Sequence, residues 1–419
     1  MQVTHLELEN FRNYKSLSLD LASGVNVLYG RNGQGKTNVL ESVYICTCAS
    51  SHRTSRDKEL ISYGEDAYRV KLNFLNSSQR RDKLDIHYMD IVPGDPLRSR
   101  RQRIVRHNGL QLERIGHLMG LFNAVIFAPE DLRLIKDGPQ ARRRFIDLLI
   151  SQIRPIYFVH LQTFNSILQQ RNSLLKKLRD EHYQPTYGDP FDFRGIELDT
   201  WDERLAEAAV NIIAYRHHYI NELAFFAKES HAHISGGKEN LSLEYKTLKE
   251  MSFFDDMSQA IEFAHNVSGI GNFGFLDGID LTQNKDQFVQ RLRRVRSEDI
   301  KRGNTNVGPH RDDINISFND MPLRLYGSQG QQRTAVLALK MAELKLIEKA
   351  TYQRPVLLLD DVMSELDFSR RECLVDHMKD GQVLLTCTEA ELVSPQLNDL
   401  RNTTDVTTYV VKNNNVIKD

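Results

Sequence analysis

Residues 30–37 read GRNGQGKT, directly after the apolar run VNVLY at 25–29 and directly before a stretch of helical character from Lys36 to about Cys48. This is a complete G-x-x-x-x-G-K-T, set between the strand and the helix that such a loop requires. Glycines at 30, 33 and 35 let backbone N–H groups approach phosphate oxygens and let the chain visit conformations that a Cβ blocks. The start of the helix adds its partial positive charge at the same point. Lys36 is placed to reach β- and γ-phosphates, and the Thr37 hydroxyl to hold Mg²⁺. Gly30, Arg31, Asn32, Gly33, Gln34, Gly35, Lys36 and Thr37 are thus the candidate nucleotide-binding residues.

Residues 355–361, PVLLLDD, form a near-continuous apolar run ending in two carboxylates, as a buried parallel strand does where it presents residues to a ligand. Asp360 is the second candidate metal-holding group, and Asp361 is placed to orient or deprotonate an attacking water. More than 300 residues separate these carboxylates from Lys36. A compact kinase or small GTPase closes that gap within one small domain, so a substantial segment is inserted here. Just ahead of the carboxylates, YGSQGQQRT at 326–334 is a Ser/Gly/Gln turn opening a long helix. It offers free N–H groups and a hydroxyl to an anion. The phosphate loop already supplies one cradle, so a second implies that two subunits each contribute one to a shared nucleotide.

Working outward, period-two segments at 3–8 and 68–74 predict strands, and residues 104–112 read as a hairpin around His107, Asn108 and Gly109. AVIFAP, after Asn123, gives another strand. From Pro139 to Asp180 the chain turns long and helical, with a break expected at Pro155. Beyond a loop holding Pro185, Gly188 and Pro190, residues Trp201, Leu205, Ala208, Ile212, Tyr215 and Tyr219 recur at fours and threes, a heptad-like seam. Two helices with facing seams predict a short coiled arm. From Asn304 the α/β pattern returns: INISF, a helix over about 331–349, PVLLLDD, another helix, and QVLLTC. Two α/β halves, 1–136 and 303–419, therefore flank a helical insertion, 137–302.

The 419 residues allow two or three domains. With 55 Lys and Arg against 56 Asp and Glu, a net charge of -1 excludes a globally basic protein, so any nucleic-acid surface is a local patch. Such excesses occur at Arg98, Arg100, Arg101, Arg103 and Arg106, at Arg142, Arg143 and Arg144, and at Arg291, Arg293, Arg294 and Arg296, suited to phosphate-backbone contact without sequence reading. The first residues lack a basic leader and apolar run, and no uncharged run approaches a membrane span, so a cytoplasmic protein with no membrane partner is expected. Four cysteines without zinc-site spacing read as reduced thiols. His217, His218, His231 and His233 follow no ligand spacing and read as solvated.

Taken with LENFRNY at 8–14, SHR at 51–53, FAPEDL at 127–132, LQQRNSLLK at 168–176, GPHRDD at 308–313 and SELD at 364–367, these motifs span nearly the whole chain. Together they resemble the ATP-binding-cassette heads of the SMC and RecF group. That resemblance implies an α/β head of the ABC-type P-loop ATPases with an inserted, mostly helical coiled arm. It implies a homodimer sandwiching two ATP and binding DNA, gapped or double-stranded, without sequence preference. Slow, DNA-stimulated ATP hydrolysis then releases it. It further implies recombinational DNA repair at single-strand gaps and stalled forks, with RecO and RecR as partners that help load RecA, and links to replication and the SOS response.

By position in these motifs, Ser328 and Gly330 would contact the γ-phosphate of the partner's ATP, with Gln329 and Gln331 in the same turn and Asp367 in the partner-facing loop. Gln329 stands where transporter cassettes carry a second glycine. No histidine follows the last strand at LLTCTEA, which leaves Thr386 or Thr388 for the switch role. Glu130 occupies the place of a glutamine loop, and Arg12 would reach the nucleotide. Three rivals share features: a P-loop kinase, which needs an acceptor substrate; a transporter cassette, which needs a membrane part; and an SMC-type structural tether, whose hinge and hundreds of coiled-coil residues this length excludes.

Overall fold

The structure, a computed structural model, describes residues 1–76, 78–90, 102–185, 191–237, 239–247, 281–388 and 404–419. They form two compact units: Met1–Lys136 with Phe225–Leu241 and Phe318–Asp419, and Asp137–Ala224 with Ser242–Ser317.

The first unit is built on two six-stranded sheets. One is an antiparallel meander of β1 (Gln2–Phe11), β2 (Tyr14–Asp20), β4 (Ala67–Leu75), β5 (Arg81–Met89), β6 (Gln102–His107) and β7 (Leu110–Gln111), in the order β2-β1-β4-β5-β6-β7. Burial alternates along β4, as expected of a sheet with one covered face. The other sheet contains β3 (Val25–Tyr29), β8 (Ala124–Phe127), β9 (Val356–Asp360), β10 (Val383–Cys387), β11 (Val406–Lys412) and β12 (Asn415–Lys418), ordered β12-β11-β3-β10-β9-β8 and parallel except at the β11–β12 hairpin. β8, β9 and β10 are buried at every residue, which is why they read as unbroken apolar runs.

Helix α1 (Lys36–Cys48) touches β8 and β9 of the parallel sheet and β1 and β4 of the meander. A helix covered on both sides needs no polar face, and 11 of its residues are buried. Sheet topology also fixes the site. β3, β10 and β9 are neighbours, so the phosphate loop leaving β3 and the carboxylates ending β9 emerge on the same edge although they are remote in sequence. Two further helices, α2 (Gln329–Thr351) and α3 (Phe368–Asp376), complete the elements that carry the motifs. All four cysteines are buried and none forms a disulfide. No described helix is long and apolar enough to cross a membrane.

In the second unit the helices Pro139–Ile153 and Pro155–Asp180 are separated at Arg154, where Pro155 starts the second as its first residue. The helix carrying the heptad-like seam is far longer than that seam, Phe193–Ser235, and its last turns belong to the first unit. Leu205, Ala208, Ile212, Tyr215 and Tyr219 are all buried. The expectation of two facing helices needs correction, because a third takes part: Leu174, Leu175 and Leu178 pack with Leu198 and with Ile300 from the helix Thr282–Arg302.

Charges deep inside hold these three helices together. Arg171 is fully buried; its Nε donates to Asp202 Oδ1 at 2.7 Å, and its Nη1 to Asp299 Oδ2 at 2.9 Å and Thr305 Oγ1 at 2.7 Å. Arg296, read from sequence as a surface cation, is buried and donates to Asp202 Oδ2 at 2.7 Å. Removing one partner of so desolvated a network costs about 3–5 kcal/mol. Among the histidines expected to be solvated, His218 and His231 are instead buried.

The GPHRDD segment is part of the same interior. Arg216 Nη1 donates to the Pro309 carbonyl at 2.6 Å, and His310 bonds the Thr305 carbonyl through Nε2 at 3.1 Å. Burial lowers the His310 pKa from 6.5 to about 4. The folded protein holds this ring neutral while the unfolded chain takes up a proton below about pH 6.5, so stability is lost as pH falls from there towards 4. Between pH 7 and 5 the wild type is expected to lose about 1–2 kcal/mol more than H310Q. Thermal unfolding of both across that range checks this, and equal slopes would refute it.

Candidate nucleotide site

Two glycines with positive φ bracket the phosphate loop between β3 and α1. A Cβ on Gly30, at φ +150°, would lie 2.3 Å from the Val411 carbonyl oxygen, and one on Gly35, at φ +105°, 2.5 Å from Asn13 Nδ2. Arg31, Asn32 and Gly33 form the exposed tip. Gln34 is tied down, its Oε1 accepting from the Asn413 N–H at 2.7 Å. Lys36 is buried and folds back so that Nζ donates to the carbonyls of Gly30 at 2.5 Å and Arg31 at 3.1 Å. Burial lowers its pKa, against the opposing pull of Asp361 and Asp360. A desolvated ammonium satisfied by loop carbonyls, at a helix start and within a cradle that excludes side chains, fits a phosphate anion.

The structure joins the two distant motifs directly. Thr37 Oγ1 donates to Asp360 Oδ1 at 2.8 Å across 323 positions of sequence. Thr386 Oγ1 donates to the same oxygen at 2.8 Å, and it in turn accepts the Asp361 N–H at 2.9 Å. Parallel register puts Asp360 opposite Thr386, so the strand after the carboxylates orients both of them. Burial raises the Asp360 pKa, partly offset by the two threonine hydroxyls. A hydroxyl and a carboxylate in contact are hard oxygen donors of the kind Mg²⁺ takes, and a cation there would restore the carboxylate's charge. Asp361 has left-handed backbone, φ 52°, and accepts from Ser364 Oγ at 3.1 Å through its carboxylate. Aspartate adopts this conformation more readily than most residues, because its short polar side chain bonds locally.

Behind the loop lies a buried hub that sequence reading missed. Glu41 of α1 is fully buried; its carboxylate accepts from Arg12 at 2.9 and 2.7 Å and from Ser51 at 2.5 Å, with Arg53 at 3.5 Å. Burial pushes its pKa up, but the Arg12 and Ser51 hydrogen bonds outweigh that and leave it below the ordinary carboxylate value. Arg12 also donates to the Glu59 carbonyl at 2.8 Å, so Glu41 and Glu59 fix its guanidinium beside α1. Arg53 Nε lies 3.6 Å from Glu130 Oε1, while Glu130 Oε2 is buried with no hydrogen-bond partner. The SHR motif thus bridges the phosphate-loop helix and the expected glutamine-loop position.

At the second anion-binding turn, Ser328 caps α2. Its Oγ accepts from the Gln331 N–H at 3.3 Å, and Gln331 Oε1 accepts from the Ser328 N–H at 2.8 Å, a complete capping box. A Cβ on Gly330 would meet only Arg370 and Ser328, at 3.7 and 3.9 Å, so this turn stands open. Asp367 caps α3 by accepting from the Arg370 N–H at 3.0 Å, and Arg370 Nη1 pairs with its carboxylate at 2.9 Å. The side-chain hydrogen bonds and ion pairs of Ser328, Gln331 and Asp367 run among themselves and to Glu239 and Arg370.

The arginines separate clearly. Arg98, Arg100 and Arg101 lie outside the described residues. Arg103 pairs with Asp57. Arg142 must be withdrawn as a DNA contact, since it is buried and its Nε and Nη2 grip Asp313 at 2.7 and 2.9 Å. Arg143 donates to the Asp312 carbonyl at 2.6 Å.

A phosphate loop after the central strand of a parallel sheet, a carboxylate pair on a nearby strand and a capped signature turn define an ATP-binding-cassette head. The family model of the RecF/RecN/SMC N-terminal domain matches residues 2–411. The DNA replication and repair protein RecF of Acetivibrio thermocellus is 38% identical over 94% of this chain and 94% of its own length. That of Clostridium perfringens is likewise 38% identical, over 100% of this chain and 98% of its own. The solved structure of the recombination mediator protein RecF-ATP in the RecFOR pathway aligns with a TM-score of 0.81 at 31% identity, covering 100% of this chain and 97% of that one. This chain belongs to the RecF family of DNA replication and repair proteins, within the ABC-type ATPases.

Proposed function

We propose that this protein is an ATP-gated DNA clamp of recombinational repair, in which bound ATP and Mg²⁺ join two identical heads. Lys36 and the loop amides bind the phosphates, while Thr37 and Asp360 hold the metal. Asp361 takes the proton from, or orients, the attacking water. When bound, the metal supplies charge neutralisation at the phosphates. Ser328 and Gly330 of one copy grip the nucleotide held by the other, with Asp367 alongside. Closure creates the DNA-binding form, and slow hydrolysis reopens it. Contact with gapped or duplex DNA rests on the phosphate backbone, with Arg98, Arg100, Arg101, Arg103 and Arg143 as candidates. RecO and RecR are the partners this reading assigns at gaps and stalled forks, with RecA loading as the outcome.

The observation that carries this reading is the separation of two anion-binding devices in one chain: a phosphate loop complete with metal-holding groups, and an exposed capped turn whose bonds run elsewhere. Its test is S328R. The variant should bind ATP like the wild type yet fail to dimerise in sedimentation with ATP and Mg²⁺, weakening association by at least about tenfold through steric bulk at the contact. A variant that still forms the ATP-dependent dimer contradicts the sandwich. In the same cells, DNA at two salt concentrations tests the electrostatic contact, which should weaken steeply as salt rises.

A further inference from the structure

The long helix Phe193–Ser235 ends at two left-handed glycines, Gly236 and Gly237, and the chain then presents Glu239 to the signature turn. Gln331 Nε2 donates to Glu239 Oε1 at 2.7 Å. The other carboxylate oxygen of Glu239 lies 3.8 Å from Nε2 of His231, a buried ring tilted against Phe318 with centroids 4.6 Å apart. Glu239 also lines a 340 Å³ cavity together with Ser328, Gly330, Gln331 and Arg370.

An amide has one accepting and one donating end, and its orientation follows from its partners. Facing a carboxylate, the Gln331 amide must present its NH₂ to Glu239, which leaves Oε1 for the Ser328 N–H. Rotated the other way, its oxygen would meet the carboxylate and its NH₂ the Ser328 N–H, two repulsive contacts. With the capping box set this way, Ser328 Oγ accepts from the Gln331 N–H and keeps its own proton to donate outward. The first-turn N–H groups of Gln329 and Gly330, which have no acceptor within the helix, stay aimed beside it. We propose that Glu239 is a positioning residue for the partner-gripping turn: it selects the Gln331 orientation that makes Ser328 a donor to the other copy's phosphate. The inference rests on the dimer reading above and extends it to a residue far from both nucleotide motifs in sequence.

The test combines E239A, Q331E and the exchange E239Q/Q331E with the wild type. Glutamate serves as well as glutamine at the third helical position of a capping box, so Q331E keeps the cap while setting two carboxylates face to face. The exchange restores the hydrogen bond with its direction reversed. Binding of a fluorescent ATP analogue to the dilute monomer should be the same in all four proteins. Sedimentation with ATP and Mg²⁺ should show E239A and Q331E dimerising about tenfold or more weakly, and the exchange recovering to within about threefold of wild type. Recovery is the readout that a bulk structural role would not produce. A wild type that dimerises beside an equally competent E239A, or an exchange no better than Q331E, overturns the inference alone. A wild type that stays monomeric overturns the dimer reading, and this inference with it.

Discussion

Replacing Lys36 with methionine is expected to remove ATP binding almost completely while leaving the fold intact. The Lys36 ammonium is buried, lowered in pKa by that burial, and bonded to the Gly30 and Arg31 carbonyls. Without nucleotide it is a poorly solvated charge; with triphosphate it becomes a desolvated ion pair. Methionine keeps the length and apolar stem but supplies no charge. Losing one member of such a pair costs about 3–5 kcal/mol, which corresponds to a roughly hundred- to several-thousandfold weaker Kd. Calorimetric titration with ATP and Mg²⁺ measures it, and the ATP-dependent dimer should vanish in parallel. Thermal stability without nucleotide should hold or rise, since the variant no longer buries an ammonium. Retained affinity would mean that the loop amides bind phosphate unaided.

Asp361→Asn should have the second-largest effect, on turnover rather than binding. The side chain keeps its shape, and its carbonyl oxygen still accepts from Ser364, so the left-handed turn at φ 52° is preserved. What disappears is the capacity to take or orient a proton, worth about a hundred- to ten-thousandfold in rate. Phosphate release should fall by that order while ATP affinity stays within about threefold. Under the clamp reading, the variant should also accumulate as a closed, DNA-bound dimer, visible as a slow ATP-dependent complex in sedimentation. Normal turnover would remove Asp361 from catalysis and direct attention to Glu130, whose second carboxylate oxygen is buried without a hydrogen-bond partner.

Much of the site was legible because its parts are local. GRNGQGKT needs glycine backbones and two functional side chains in consecutive positions, and the strand-to-helix context brackets it on both sides. Likewise, VLLLDD announces a strand buried on both faces, and the serine and glutamine three apart at 328 and 331 announce a cap. The arginines were misread for the opposite reason. Arg142 and Arg296 look like surface charge in sequence, yet both are buried against aspartates that lie far along the chain. For Arg12, only the packing shows that Glu41 of α1 holds its guanidinium. An ion pair's partner depends on which elements pack together, and periodicity does not encode that.

The sequence by itself determined the ATPase class and the elements that carry the motifs, the strand, loop and helix over 25–48, the strand ending at Asp360 and the capped turn at Ser328, since each follows from backbone preferences and spacing within a dozen residues. The strands Tyr14–Asp20, Arg81–Met89 and Val406–Lys412 went unread. Only the tertiary structure decided that β3, β10 and β9 lie side by side, so that Thr37, Asp360 and Thr386 share one hydrogen-bonded cluster. It also decided that Glu41 holds Arg12, and that Glu239 reaches Gln331. Those contacts form across tens to hundreds of residues. Where burial removes water, as at Glu41 and Asp360, a polar group takes its partner from whichever element the packing brings beside it.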